Sequence, residues 1–200
     1  EAYLLDVDGA SPPGDTSGAT ATFRGVGITG ASMCNAGDIN RDGFEDLLLG
    51  SYGARGAGAA TWAGQVHVVY GRAPFQSTYA LNQPQTTGIA NILGHYEGSN
   101  LGYAVTPVGD INYDGCDDFL IGAPSFQNRS WERAGEAYLI LGAPDILGVP
   151  QIAGEVDVAT ICEINFVGPQ IDDRLGLSVS ATRGYAGKTF SPTHANPLWK

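Results

Sequence analysis

Three cysteines, one methionine and ten basic side chains are few for a chain of 200 residues, and each shortage excludes something. Cys34, Cys116 and Cys162 form no Cys-x-x-Cys pair and no zinc-ligand spacing, and an odd count allows at most one internal disulfide. They are read as buried, unpaired thiols. Ten Lys and Arg against 21 Asp and Glu leave a net charge of −11, which argues against a protein that tracks phosphates, so no nucleic-acid partner is expected. No apolar run approaches the roughly 18 residues of a membrane helix, so no membrane span is expected in this chain. Charged residues are scarce at 16% and apolar ones reach 43%, a balance that excludes intrinsic disorder. No Gly-x-Ser-x-Gly, Walker loop or His-Glu-x-x-His is present, and His67, His95 and His194 lie in unlike settings. No catalytic residue is expected, and the chain is read as non-enzymatic. His67 alternates within an apolar run and is expected to be a half-buried structural residue. The sequence opens on Glu1, not Met, and is expected to be a processed or partial chain.

What the chain has in excess is glycine, 29 residues, about twice the usual share. It also has an internal repeat. Residues 37–50, Gly-Asp-Ile-Asn-Arg-Asp-Gly-Phe-Glu-Asp-Leu-Leu-Leu-Gly, return at 109–122 as Gly-Asp-Ile-Asn-Tyr-Asp-Gly-Cys-Asp-Asp-Phe-Leu-Ile-Gly, an offset of 72 with nine of 14 positions identical. Flanking segments repeat in the same order: 64–71 with 135–142, Phe23-Arg24-Gly25 with Ile92-Leu93-Gly94 and Phe166-Val167-Gly168, and 101–105 with 175–179. The runs between Gly, Pro and Asn are short and rich in β-branched residues, and none holds a 3.6-residue period over three turns. The expected strands lie near 30–36, 46–50, 64–70 and 88–93 in one unit, and near 101–108, 118–122, 135–141 and 161–167 in the next. Four strands per unit of about 70 residues is the signature of a propeller blade, an all-β fold of four-stranded antiparallel sheets.

Within the repeat, Asp38, Asn40, Asp42 and Asp46 occupy positions 1, 3, 5 and 9 of a loop, and Asp110, Asn112, Asp114 and Asp118 the same positions of a second. The two nine-residue windows carry eight of the 21 acids. Such crowding is repulsive unless a cation sits among the carboxylates. Ca²⁺ takes six to eight hard oxygens in an adaptable shell, whereas Mg²⁺ demands a compact octahedron. The backbone carbonyl at position 7, from Phe44 or Cys116, would add a neutral oxygen. Gly43 and Gly115, at position 6, permit a sharp turn. Position 12 is Leu49 or Ile121, not the bidentate Glu of an EF-hand, and strand rather than helix follows. Two Ca²⁺ sites are expected, and paired carboxylates for acid–base work are not.

These residues resemble the FG-GAP repeat of integrin alpha-chain propellers and related extracellular proteins. The resemblance rests on Asp-x-Asn-x-Asp-Gly-x-x-Asp, on Leu47-Leu48-Leu49-Gly50 and Phe119-Leu120-Ile121-Gly122-Ala123-Pro124, and on the spaced glycines at 64–71 and 135–142. It implies blades of a propeller with calcium in hairpins on one face, and an extracellular or cell-surface setting. The chain then divides into 1–25, outer strands of a preceding blade; 26–94, a blade with calcium loop 38–46; 95–168, a blade with calcium loop 110–118; and 169–183, the first strand of a further blade. Residues 184–200 match nothing in the repeat. Two whole blades are too few to close a ring. Further blades are expected from the same parent protein or from neighbouring chains, and a ring or filament completed by strand pairing between chains is an alternative.

The resemblance also implies that ligands bind on the face opposite the calcium loops. That face is expected to carry Tyr52, Arg55, Trp62, Tyr96, Phe126, Arg129 and Trp131, of the aromatic and Arg types that binding surfaces favour. A protein or glycan ligand is expected there, for adhesion, recognition or surface assembly. The alternative is an accessory propeller of a larger extracellular enzyme of phospholipase D or hydrolase type. Asn128-Arg129-Ser130 is a glycosylation sequon, so Asn128 is a candidate acceptor.

Overall fold

A computed structural model describes residues 2–4, 21–25, 28–71, 78–82, 88–125, 134–145, 151–170 and 173–181. Among them are twelve strands: β1 (Ala2–Leu4), β2 (Ala21–Arg24), β3 (Thr29–Gly37), β4 (Asp46–Ser51), β5 (Gln65–Val69), β6 (Thr78–Ala80), β7 (Ile89–Leu93), β8 (Ala104–Gly109), β9 (Asp118–Ala123), β10 (Glu136–Ile140), β11 (Gly154–Asp157) and β12 (Cys162–Val167). The helix Val158–Ile161 is a single turn, capped by the Asp157 carboxylate, which accepts from Ala159 N at 2.9 Å. The fold is all-β, as expected. β3–β4–β5–β7 and β8–β9–β10–β12 are antiparallel four-stranded blades, called here the first and second blade. β1 and β2 pair antiparallel as the outer strands of a sheet before them.

Two strands have no counterpart among those expected. β11 lies parallel to β7 and makes the first blade five-stranded, with Val156 opposite Ile92. β6 lies parallel to β2 in the same way, with Tyr79 opposite Phe23. Each comes from the segment joining the third and fourth strands of the following blade, so each blade lends its predecessor a strand. At three and four residues, both are too short for an alternating pattern to reveal. Of the first strand expected within 169–183, the described residues 173–181 show a single bridge, Leu175 to Gly135. No second strand lies beside it among the described residues, so its backbone has nothing to pair with along its length.

The blades pack face to face, and the period of two assigns each residue to an interface. On the first blade Leu48, Val66, Val68, Ala90 and Ile92 turn toward the second and meet Phe119, Ile121, Tyr138 and Ile140. Their alternates Leu49, Val69 and Ile89 turn back toward Phe23, Tyr79 and Leu81. Phe23 and Tyr79 stack with ring centroids 5.1 Å apart. Burying each such side chain contributes about 1.5–3 kcal/mol. The first blade is thus covered on both sides, and its strands read as continuous apolar runs.

His67 is fully buried, not half-buried, on the face toward β1 and β2. Its Nε2 lies 2.9 Å from Ser51 Oγ and its Nδ1 2.7 Å from Asn91 Oδ1, while Asn91 Nδ2 donates to Leu81 O at 2.9 Å. Burial holds the imidazole below its ordinary pKa, in the neutral form. A Ser–His–Asn chain of this kind resembles a nucleophile relay, but all three side chains are closed to water and substrate alike. It satisfies polar groups between blades. The three cysteines are unpaired; Cys116 is buried, whereas Cys34 and Cys162 are only half-buried.

Close approach explains the glycine that ends each Leu-Leu-Leu-Gly-type run. A Cβ on Gly50 would lie 2.0 Å from Gly102 O, and one on Gly122 2.1 Å from Gly176 O. Both obstacles are backbone, which cannot swing aside. Gly50→Ala and Gly122→Ala are each expected to lower stability by about 1–3 kcal/mol, read as a fall in thermal midpoint of several degrees. An unchanged midpoint would contradict this packing.

Candidate metal centre

The loops 38–46 and 110–118 join first to second strand in each blade and fold alike. Gly43 and Gly115 have φ of +93° and +90°, the conformation their position was expected to need. Asp38 accepts from Asp42 N and Gly43 N, each at 3.0 Å. Asp110 accepts from Asp114 N at 3.1 Å and Gly115 N at 2.9 Å. Asp42 accepts from Phe44 N at 2.9 Å and Asn40 Nδ2 at 3.0 Å. Asp114 accepts from Cys116 N and Asn112 Nδ2, each at 2.8 Å. Turn backbone of this shape satisfies Asp and Asn locally, which is why these residue types suit it.

Position 9 plays a different part. Asp46 is buried, and its two oxygens accept from Ile39 N at 2.9 Å and Gly71 N at 2.8 Å. Asp118 repeats this with Ile111 N at 2.9 Å and Gly142 N at 2.8 Å. Each carboxylate therefore ties its loop to the end of the third strand. Burial pushes the Asp46 carboxyl up to about 7, against the downward pull of its two N–H donors, and Asp42 and Asp38 add repulsion. Asp118 is raised for the same first reason, burial. Asp114 is lowered, chiefly by the Cys116 N–H and the Asn112 side chain.

Among the described residues, no three His, Cys, Asp or Glu side chains converge as a metal site. The carboxylates face backbone N–H groups instead. The first loop nevertheless has an unmet need: Asn40 Oδ1 is buried with no hydrogen-bond partner. Asp145 Oδ1, beside it, is likewise buried and unpartnered, and Asp145 N donates to Asn40 O at 2.8 Å. Burial raises the Asp145 carboxyl against the downward pull of the Asn40 side chain, with Asp42 and Asp38 adding repulsion. A hard cation fits this oxygen-rich corner. In the second loop Asn112 Oδ1 is engaged, accepting from Asp114 N at 3.1 Å, so there the fit rests on the donor types alone.

The loops also touch each other. Asp38 N donates to Asp117 Oδ2 and Asp117 N to Asp38 O, both at 2.9 Å, and Arg41 Nη1 reaches Asp114 O at 3.3 Å. Sequence reasoning missed Asp117 and Asp145. Asp117 replaces Glu45 of the earlier repeat, so its acidity looked redundant. Asp145 has no acidic counterpart at all, since no acid lies between Gly71 and Gly88.

Strand direction puts Tyr52, Arg55, Trp62 and Tyr96 at the end of the first blade away from loop 38–46. Arg55 is exposed, Trp62 and Tyr96 are 41% and 39% exposed, and Tyr52 is half-buried against Tyr103 with centroids 5.1 Å apart. Backbone bonds from Gly98 N to Thr61 O and Asn100 N to Trp62 O join the two loops that carry them. His95 Nδ1 meets Asp157 Oδ2 at 2.6 Å, fastening this end to the lent strand β11. Phe126, Asn128, Arg129 and Trp131 lie outside the described residues.

The FG-GAP repeat family model matches residues 29–69 and 101–140. The chain is 31% identical over 114 residues to phosphatidylinositol-glycan-specific phospholipase D of Dictyostelium discoideum, covering 52% of this chain and 12% of that protein. It is 37% identical over 119 residues to integrin alpha-D of Homo sapiens, covering 58% and 9% respectively. A third relative, phosphatidylinositol-glycan-specific phospholipase D of Bos taurus, is 29% identical over 135 residues, covering 67% and 15%. The chain therefore spans a small fraction of the length of these relatives.

A pH dependence follows from the buried carboxylates. An acid raised on folding destabilises the fold once pH exceeds its unfolded value, because the unfolded chain releases the proton first. With metal chelated, stability is expected to fall as pH rises from about 4 to the 7 of Asp46, and Asp46→Asn should flatten that fall. Thermal midpoints across that range, on protein stripped with EGTA at neutral pH and exchanged into metal-free buffers, provide the measurement. A metal-free midpoint that rises over the same range would contradict the reading.

Proposed function

With two FG-GAP repeats as the frame of its blades, this chain is, we propose, a calcium-stabilised propeller segment that serves recognition at the cell surface or outside the cell. The observation that carries the calcium reading is the buried, unpartnered Asn40 Oδ1, in a loop that also offers Asp38, Asp42, Asp46 and the Phe44 carbonyl. The equivalent oxygens at 110–118 come from Asp110, Asn112, Asp114, Cys116 and Asp118. Calcium would supply neutralising charge and a shared partner for these oxygens. The protein's own contribution is the pre-formed turn, held by N–H groups that the carboxylates now face, and by the clamp at position 9. Closing such a shell needs side-chain rotations, not a new backbone. Asp145 is a candidate further oxygen for the first site, supplied by the neighbouring blade.

The recognition role rests on the opposite end, where Arg55, Trp62 and Tyr96 are presented on loops tied to each other. A protein or glycan partner suits this mixture of flat rings and a guanidinium. Two phospholipase D relatives favour a second reading, an accessory propeller beside a catalytic domain. In both readings these blades hold and present rather than react. Asn128, if glycosylated, would add a glycan beside Arg129 in the sequence.

Calcium is expected to raise the thermal midpoint of EGTA-stripped protein, by an amount corresponding to about 2.7 kcal/mol for each occupied site at a hundredfold excess over Kd. Asp42→Ala and Asp114→Ala should each remove one equivalent of calcium in a titration, and Asp145→Asn should weaken only the first site. If neither stability nor bound calcium responds to chelation or to these substitutions, the calcium reading fails. For the opposite face, Arg55→Ala and Trp62→Ala should abolish signal on a glycan array while leaving calcium content unchanged. A glycan signal that survives both would remove these residues from the binding surface.

A further inference from the structure

The repeat allows one position to be followed through three units. Phe23, Ile92 and Phe166 lie near the end of the fourth strand of successive sheets, each two residues before Gly25, Gly94 or Gly168. Phe23 and Ile92 are 0% exposed, and Phe166 is 46% exposed. Each of the first two has a lent strand beside it and the following blade over it: Tyr79 of β6 opposes Phe23, which packs with Leu49 and Val69, and Val156 of β11 opposes Ile92, which packs with the second blade. β12 carries no such strand on its outer edge among the described residues. The face behind it is open as well. Ile164 is 44% exposed, where its counterpart Ala90 on β7 is fully buried under the second blade.

We propose that the outer edge of β12 is a receptor for a short parallel strand from a following blade of the same repeat, one presenting a large apolar side chain opposite Phe166. Three observations select that occupant over an unrelated partner. First, the same edge is filled in the same way twice in this chain, by a segment of the next unit each time. Second, the beginning of a next unit is already seated. Leu175 bridges Gly135 as Leu101 bridges Gly64, and Gly176 O presses on Gly122 as Gly102 O presses on Gly50. Third, β12 ends as β7 ends: Gly168 N donates to Gly135 O at 3.0 Å and Gly94 N to Gly64 O at 2.9 Å, so the edge is presented in the same setting. Strand addition of this kind takes its affinity from main-chain pairing and its selectivity from alternate side chains. Calcium plays no part in this pairing.

The probe is a synthetic peptide of residues 76–83, which includes the segment paired with β2, with a photoreactive phenylalanine in place of Tyr79. It is mixed with the whole 200-residue chain. Crosslinks are expected on residues 162–167, at least tenfold above those of a scrambled peptide. Phe166→Asp should reduce them at least tenfold, and Phe166→Leu should retain them. Crosslinks outside β12, or equal capture of the scrambled peptide, would overturn the proposal. Sedimentation of the chain alone is the second readout. A monomer in which the outward-facing β12 amides, those not bonded to β10, exchange rapidly is expected, whereas a dimer dissociated by Phe166→Asp would assign the edge to a second copy and overturn the assignment to a following blade.

Discussion

A carboxylate shut away from water is costly unless N–H groups or cations compensate it, and each of the two described hairpins that join first to second strand buries one. Asp46 and Asp118 stand at the start of the second strand, and each joins two places far apart in sequence, the second residue of the loop and the end of the third strand. Everything else at that end is built around this clamp. It fixes where the loop enters β4 or β9, and so which oxygens the loop presents. It also sets where the third strand stops, from which the lent strand of each blade departs. The same carboxylates resist ionisation in the absence of a cation, so the hairpin is both the anchor of the blade and its most charge-strained part.

The second organising constraint is the period of two read across faces. Leu48 and Leu49 are neighbours in sequence and belong to different interfaces, one shared with the next blade and one with the preceding sheet. A blade in the middle of such a series is buried on both sides. This explains how few polar residues β4, β5 and β7 carry beyond Asp46 and Gln65 at strand ends, and why the other three, His67, Ser51 and Asn91, satisfy one another. The second blade shows the alternative. Its face toward the first is as apolar and closed as any core, and its other face leaves Ile164 and Phe166 open to water.

Much of this is legible in the residues alone because the repeat turns one sequence into its own comparison. All eight strands of the two blades lie within a few residues of their expected positions, since 37–50 and 109–122 align without a gap and each unit checks the other. The turn at Gly43 and Gly115 is equally plain, as side-chain-free residues between acids have few other uses. What escapes is whatever the repeat does not repeat. Asp145 has no acidic partner one unit back, and Asp117 reaches across to Asp38 N of the preceding loop while Glu45 at the same repeat position accepts from Asn35 within its own blade. β6 and β11 escape for another reason: a strand of three or four residues that pairs only at one edge has no face of its own to encode. The depth of His67 was misjudged because alternation gives direction and not what lies beyond.

The lent strands give the series a direction in time as well as in space. The first blade and the sheet before it are each completed by residues that come after them in the chain, so on the ribosome neither can finish its outer edge until most of its successor has been made. A unit waiting in that state exposes a backbone edge and one large apolar side chain, the features that invite mispairing. Vectorial synthesis thereby becomes part of the folding problem. The growing end is always the vulnerable end, and how fast the next seventy or so residues emerge governs how long each newly made blade stays incomplete.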